Sequence, residues 1–495
     1  MVPDDAGGGV MRVEVLREEV DGLAELLAVV DGFDGALTEG LLRPGPEQGE
    51  ALAGLARAVA GSPLGARVAE AAREAAAGTA GEEHLVVLAA ARAALLGSAH
   101  DALAGLVAEA TGRRTEPFEP GPAEGDAPAT GPGGSGSNVS AAARSWLAEL
   151  ARVGWRGLGH EVVAGAAPVV SALLPDPAAR RAAVLLDGFA GELAACCPGA
   201  SIEEVPERRW ADLWSRGLLL TVPGVLGGSA VAVGTVSGRL LPLGVDLREH
   251  PTAVSAQVHA VLEPADGGPG RLVRASVSAP KPDTVVGAGL WQVLRPHATL
   301  PAAVAEGRSV ELVEMPVTAE GELLWDEARA RPGEPVDAFT AARMALASAT
   351  DTALAPHERH PARLAVPVLL EGYTVHTGDG DRDGDGDGDG DVTEFAFAGG
   401  GRLLVDTDLV PQAGPLTPEV VAASTACLGL LRWDAGVFTV QPLAVERLVR
   451  KRPVVVHAAG WAGGPGTDKA AAKAEKTAAD AMGVLRERAG RLLRA

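Results

Sequence analysis

The sequence predicts an α+β protein of several domains: an α-helical bundle first, then a mixed body of helices and a largely antiparallel β-rich region, and a C-terminal amphipathic helix. Three observations carry this. Apolar residues recur at helical spacing up to about residue 220, and alternate at strand spacing after it. A Pro/Gly/Ser-rich stretch, EPFEPGPAEGDAPATGPGGSGS, separates two helix-patterned segments. With 495 residues the chain exceeds one ordinary core, and its 47% hydrophobic content is enough to fold most of it.

In order, residues 12–113 read as an α-helical domain. Val13, Leu16, Val20, Leu23 and Leu27 begin a helical stripe; Leu52, Leu55 and Val59 form a second, and Leu85, Leu88, Leu95 and Leu106 a third. Residues 114–138 read as a disordered Pro/Gly linker. Residues 139–218 form a helical segment expected to pack on the β-rich region. Its last helix carries Trp210 and Trp214, four apart and so on one face. The pair reads as a packing anchor joining helices to strands. The alternative is an exposed pair that anchors a partner.

Residues 219–467 read as a β-rich α+β domain. Val254, Ala256, Val258, Ala260 and Leu262 alternate; Val273, Ala275 and Val277 oppose Leu272, Arg274 and Ser276. Strands are also expected at 290–294, 309–317, 365–375, 393–397 and 403–409, helices at 336–354 and 418–431, and a hairpin around Asp434-Ala-Gly436. Gly-Arg-Leu opens segments at 238, 270 and 401, too short a match to establish a repeat. A disordered Asp/Gly insertion spans 378–392. Residues 468–495 form the basic C-terminal helix.

The formal net charge of −22 argues against general nucleic-acid binding and against an anionic membrane surface. The segment 441–495 reverses the sign, with eleven Lys/Arg against five Asp/Glu, and suits either the protein's own acidic body or an acidic partner. The uncharged run 217–238 is long enough to span a bilayer, but its six glycines and Pro223 suit strands and turns better. Three cysteines, two of them adjacent, make no disulfide framework, and no secretory signal pattern opens the chain; a cytoplasmic location is expected.

Few motifs carry chemistry. Asp383, Asp385, Asp387, Asp389 and Glu394 match an EF-hand loop and suggest weak Ca²⁺ binding, but the flanking helices are missing and an Asp-Gly repeat meets such a pattern by accident. His357 and His360 lack the HExxH spacing. The strand–loop–helix at 454–469 fails the phosphate-loop pattern, because Asp468 precedes Lys469 where glycine is needed. An enzyme would need a pocket gathering His259, His297, Glu311 or Asp246.

Glu207-Arg-Arg-Trp-Ala-Asp-Leu-Trp, Leu431-Arg-Trp-Asp434, Val440-Gln-Pro-Leu443 and the tail from Leu485 to Arg494 together resemble uncharacterised actinobacterial proteins from gene neighbourhoods of SWIM zinc-finger proteins and MoxR-type AAA ATPases. The resemblance covers about residues 139–495. It implies an accessory protein of such an ATPase and transfers no catalytic residue. The expectation is therefore a non-enzymatic interaction or scaffold protein with a protein partner. Two alternatives stand beside it: an enzyme with an unrecognised site, and a weak calcium binder.

Overall fold

A computed structural model describes residues 11–117, 135–176, 179–222, 232–250, 253–297, 299–379, 391–434, 436–464 and 469–492. The α+β class and the order of its blocks are as the sequence predicts. Four helices come first: α1 Leu23–Glu39, α2 Pro46–Ala58, α3 Gly65–Ala76 and α4 Glu82–Thr111. A two-residue strand, β1 Thr115–Glu116, follows. Then come α5 Ser135–Val153, α6 His160–Ala164, α7 Ala166–Leu173, α8 Arg180–Ala195 and α9 Glu207–Leu220.

Residues 139–218 reach the expected β-rich region through polar contacts such as Arg181–Glu358, but their apolar core lies elsewhere. They share one apolar core with α1–α4, and Leu37, Leu52, Leu88, Leu147, Leu186 and Leu218 all lie in it. Trp210 and Trp214 are the centre of that core, 1% and 0% exposed. Trp210 meets Trp155 edge-on, with ring centroids 5.9 Å apart, and Trp214 donates its indole N–H to the Leu147 carbonyl at 2.8 Å. Gly217, one turn further, leaves room for Leu147 and Leu186 to close on the helix. Their stripe is thus an all-helical contact, because the apolar faces of α1, α4, α5 and α8 reach α9 before any strand does.

Helix α4 is the spine. At 30 residues it is about 45 Å long. Leu85–Leu96 sit in the helical core, whereas Leu103, Val107 and Ala110 plug the second barrel described below. Being covered by different neighbours along its length explains why it is apolar on every side. It is the one described helix long and apolar enough to cross a membrane, and here just over half of its apolar stretch is buried against the rest of the protein.

The β-rich region is two barrels of one topology. The first has β2 Gly234–His250, β3 Ala253–Pro264 and β4 Arg271–Pro280. Two short helices follow, α10 Leu290–Val293 and α11 Thr299–Glu306. Strands β5 Arg308–Val317, β6 Glu322–Leu323 and β7 Ala330–Pro335 complete it. Strand β2 pairs with both β3 and β5, β4 pairs in parallel with β6, and the sheet closes on itself. Helix α12 Ala338–Ala345, N-capped by the Asp337 carboxylate, and strand β8 Asp351–Thr352 lead on.

The second barrel begins with β9 Val366–Glu371 and β10 Tyr373–Asp379, one strand bent at Gly372 (φ 71°). Strands β11 Asp391–Phe397 and β12 Arg402–Val405 follow, then α13 Pro418–Ala422, β13 Ala426–Asp434, β14 Val437–Val449 and β15 Arg452–His457. Its first strand pairs with β11 and β13, and β12 runs parallel to β14. In both barrels the first strand pairs with the second and the fourth. The third runs parallel to the fifth, and helix separates the third from the fourth. This is the arrangement of an OB-type Greek-key barrel. Gly-Arg-Leu at 270–272 and at 401–403 opens the third strand of each, β4 and β12, so two of its three occurrences are structurally equivalent.

The barrels dock through Leu241 and Leu243 against Leu428 and Ala444, with Phe339 of α12 sharing the cluster. At Gly244 an added Cβ would lie 2.6 Å from Cβ of Leu443, which is why glycine stands there. Helix α14, Lys469–Leu492, closes the chain against Gly287–Gly289.

Three local expectations are corrected. Residues 290–294 form α10 rather than a strand, and 426–431 belong to β13 rather than to a helix running from 418. The helix expected over 336–354 spans only Ala338–Ala345 before a 3₁₀ turn. In each case a short apolar run fits either period, and length and tertiary pairing decide. The start of the expected linker is a strand, since Thr115 and Glu116 pair with Asp351 and Thr352. Residues 118–134 of that linker, 223–231 of the uncharged run and 380–390 of the Asp/Gly insertion lie outside the described residues.

A candidate cavity at the junction of three blocks

Where the spine helix α4, the outer face of the first barrel and the segment 351–367 meet, they border a cleft of about 530 Å³ that opens to solvent. Strand pairing decides what faces it. On β3 and β4 the residues Val254, Val258, Val273 and Ala275 point into the barrel core. Alternation therefore turns His259 and Arg274 outward, and the antiparallel register places them directly opposite each other. The cavity's floor is thus the outer face of the barrel's second and third strands.

His259 is 1% exposed, and its Nε2 has no hydrogen-bond partner among the described residues. Burial, aided by the charge of Arg274, pushes its pKa down to about 3, so the ring is neutral near pH 7. Glu320, from the turn between β5 and β6, is 7% exposed, and its Oε1 is also without a partner among the described residues. Among the described residues the Arg274 side chain makes no hydrogen bond or ion pair. Arg113, just beyond α4, donates to the Pro367 carbonyl at 2.7 Å and has no carboxylate in ion-pair contact among the described residues. Burial lowers its pKa, and Asp351 opposes that shift.

A second space of about 350 Å³ adjoins the first and shares Arg274, Glu320 and Arg363 with it. Its walls are knots of charge. Glu358, 7% exposed, contacts Arg181 of α8 and Arg363, with Arg216 of α9 at 3.8 Å. Asp246 on β2 accepts from Arg248, from Arg432 at 3.1 Å and from Gln441 at 3.0 Å, tying the first barrel to the second.

The sequence candidates are scattered. Of the four residues named for an enzyme pocket, His259 lines the cavity and Asp246 is held in the inter-barrel knot. Glu311 is exposed on β5, opposite Arg239 and Arg331, and His297 lies in a separate 3₁₀ turn. His357 and His360 have different partners: His357 lies 3.5 Å from Glu358, while His360 accepts from the Ala362 amide at 3.1 Å and lies 3.5 Å from Asp212. The Trp210/Trp214 partner alternative requires an exposed face that neither indole presents.

Asp383, Asp385, Asp387 and Asp389 lie outside the described residues. Glu394 sits within β11, ion-paired with Arg402 at 3.1 Å. Among the described residues no group of three or more His, Cys, Asp or Glu could hold a metal ion. Sequence reasoning missed Arg113, Arg274, Glu320 and Arg363. Only Arg274 carried a signal, because it lies on the strand face opposite the apolar one.

No protein-family model matches the chain, and no curated protein or solved structure matches it either.

Proposed function

We propose that this protein is a non-enzymatic binding and interaction protein whose three blocks close around a small ligand in the central cavity. One observation carries the reading: His259 and Glu320 line that cavity, and each holds a buried polar atom, Nε2 and Oε1, with no partner among the described residues. Leaving a buried polar atom unpaired costs about 1–3 kcal/mol, so such atoms ask for a partner from outside the chain. The outer face of strands two and three is also where OB-type barrels take ligands, although fold alone assigns no function.

Binding fits better than catalysis. His259 is held neutral far from its usual range, and burial in the sheet pushes the Cys427 thiol well above its usual pKa, so neither is poised as base or nucleophile. The cellular setting we attach to this reading is a cytoplasmic accessory of a MoxR-type AAA ATPase. The sequence resemblance and the basic 441–495 segment on an acidic chain support it. Weak Ca²⁺ binding by the Asp/Gly insertion is a separate proposal that rests on its carboxylates alone.

Native mass spectrometry of the intact protein after incubation with a small-molecule extract tests the reading. A stoichiometric adduct on the wild type that disappears in Glu320→Leu supports it. No adduct on either protein counts against it.

A further inference from the structure

The charges around the cavity are matched in an unusual way. Arg113 and Arg274 have no carboxylate in ion-pair contact, and Glu320 and Asp351 have no cation in ion-pair contact, among the described residues. Elsewhere on this chain such groups find each other, as in Arg359–Asp101 at 2.7 Å on the rim of the same cavity. Two cations and two carboxylates that line one space without pairing suit neither a bare anion nor a bare cation. An anion would satisfy the guanidiniums and be repelled by Glu320, 93% buried in the wall; a cation would meet the reverse.

Resting on the reading that the cavity binds a small ligand, we infer that its ligand is a zwitterion of the amino-acid or dipeptide class, with its carboxylate on Arg274 and its ammonium on Glu320. A guanidinium offers a carboxylate two parallel N–H donors, and a carboxylate oxygen accepts from an ammonium, so each end of the ligand meets its complement. The neutral His259 ring stands directly across the strand pair from Arg274 and adds no competing charge to that wall. Arg113 and Asp351 provide a second pair of opposite charges for a polar side chain or for the far end of a dipeptide. The cavity volume lies in the range of small-molecule sites.

Titration calorimetry at low salt tests this on the full chain. The probes are the common L-amino acids and glycyl-leucine, with succinate as a dianion and putrescine as a dication. The expected result is heat of binding from at least one zwitterion and from neither control. Arg274→Gln and Glu320→Gln should each weaken that binding roughly tenfold or more, and Arg274→Lys should restore part of it. Circular dichroism matching the wild type establishes that both variants fold. Binding of succinate or putrescine alone, abolished in Arg274→Gln or Glu320→Gln, overturns the zwitterion while leaving the cavity reading intact. No heat from any probe also overturns the zwitterion. If that silence is joined by the absence of a mass-spectrometric adduct, both fall.

Discussion

Arg92 of α4 and Asp34 of α1 form a two-pronged ion pair in the middle of the helical core, Nε to Oδ1 at 2.7 Å and Nη2 to Oδ2 at 2.8 Å. Both side chains are almost fully buried, and the guanidinium also donates to Ser215 Oγ and the Arg208 carbonyl on α9. One arginine therefore links α1, α4 and α9. Breaking the pair from one side leaves a bare buried charge, so Asp34→Ala should cost about 3–5 kcal/mol in urea unfolding. The double replacement Asp34→Leu/Arg92→Met should cost clearly less, since no charge is stranded.

The tryptophans of α9 make a second prediction. Trp214→Ala removes a fully buried indole and its hydrogen bond to the Leu147 carbonyl. It should destabilise the fold by about 3–5 kcal/mol. Trp214→Phe should cost less, and ligand binding by the folded fraction of either variant should be unchanged.

Much of this helical block is legible in the sequence, because amphipathic stripes such as Leu85–Leu88–Leu95 and Trp210–Trp214 write burial directly into spacing. What the stripe does not say is which neighbour covers it. Trp210 and Trp214 read as a joint to the strands and prove to be a contact among helices. The strands are legible for the same local reason; their closure into two barrels is not, since β2–β5 and β12–β14 pair across long separations. The cavity was least visible of all. Arg113, His259, Arg274, Glu320 and Asp351 come from five separated segments, and none lies in a motif.

Gly244 sits at the irregularity in β2 where the two barrels touch. Gly244→Ala would press a methyl against Leu443, and overpacking of this kind costs about 1–3 kcal/mol. Limited proteolysis should show a faster cut between the barrels in this variant than in the wild type.

Acid should destabilise the protein through His259 and His457, whose pKa values burial depresses to about 3 and about 4. Their unfolded-state value is about 6.5. The unfolded chain therefore gains protons first as pH falls, and the stability each contributes is complete above about pH 6.5. It is lost progressively from there down to the folded value. Between pH 7 and pH 5 each histidine should remove about 2 kcal/mol. Comparing urea midpoints at the two pH values for the wild type and His259→Gln checks this: the variant should lose visibly less.

The central claim is that the buried polar atoms of the cavity serve a ligand rather than the fold. The unfolding free energy of Glu320→Leu, measured without added ligand, tests it most directly. A group awaiting a ligand is a burden on the free protein, so this variant should be as stable as the wild type or more so. A loss of more than about 2 kcal/mol would instead mark Glu320 as a structural residue and contradict the account.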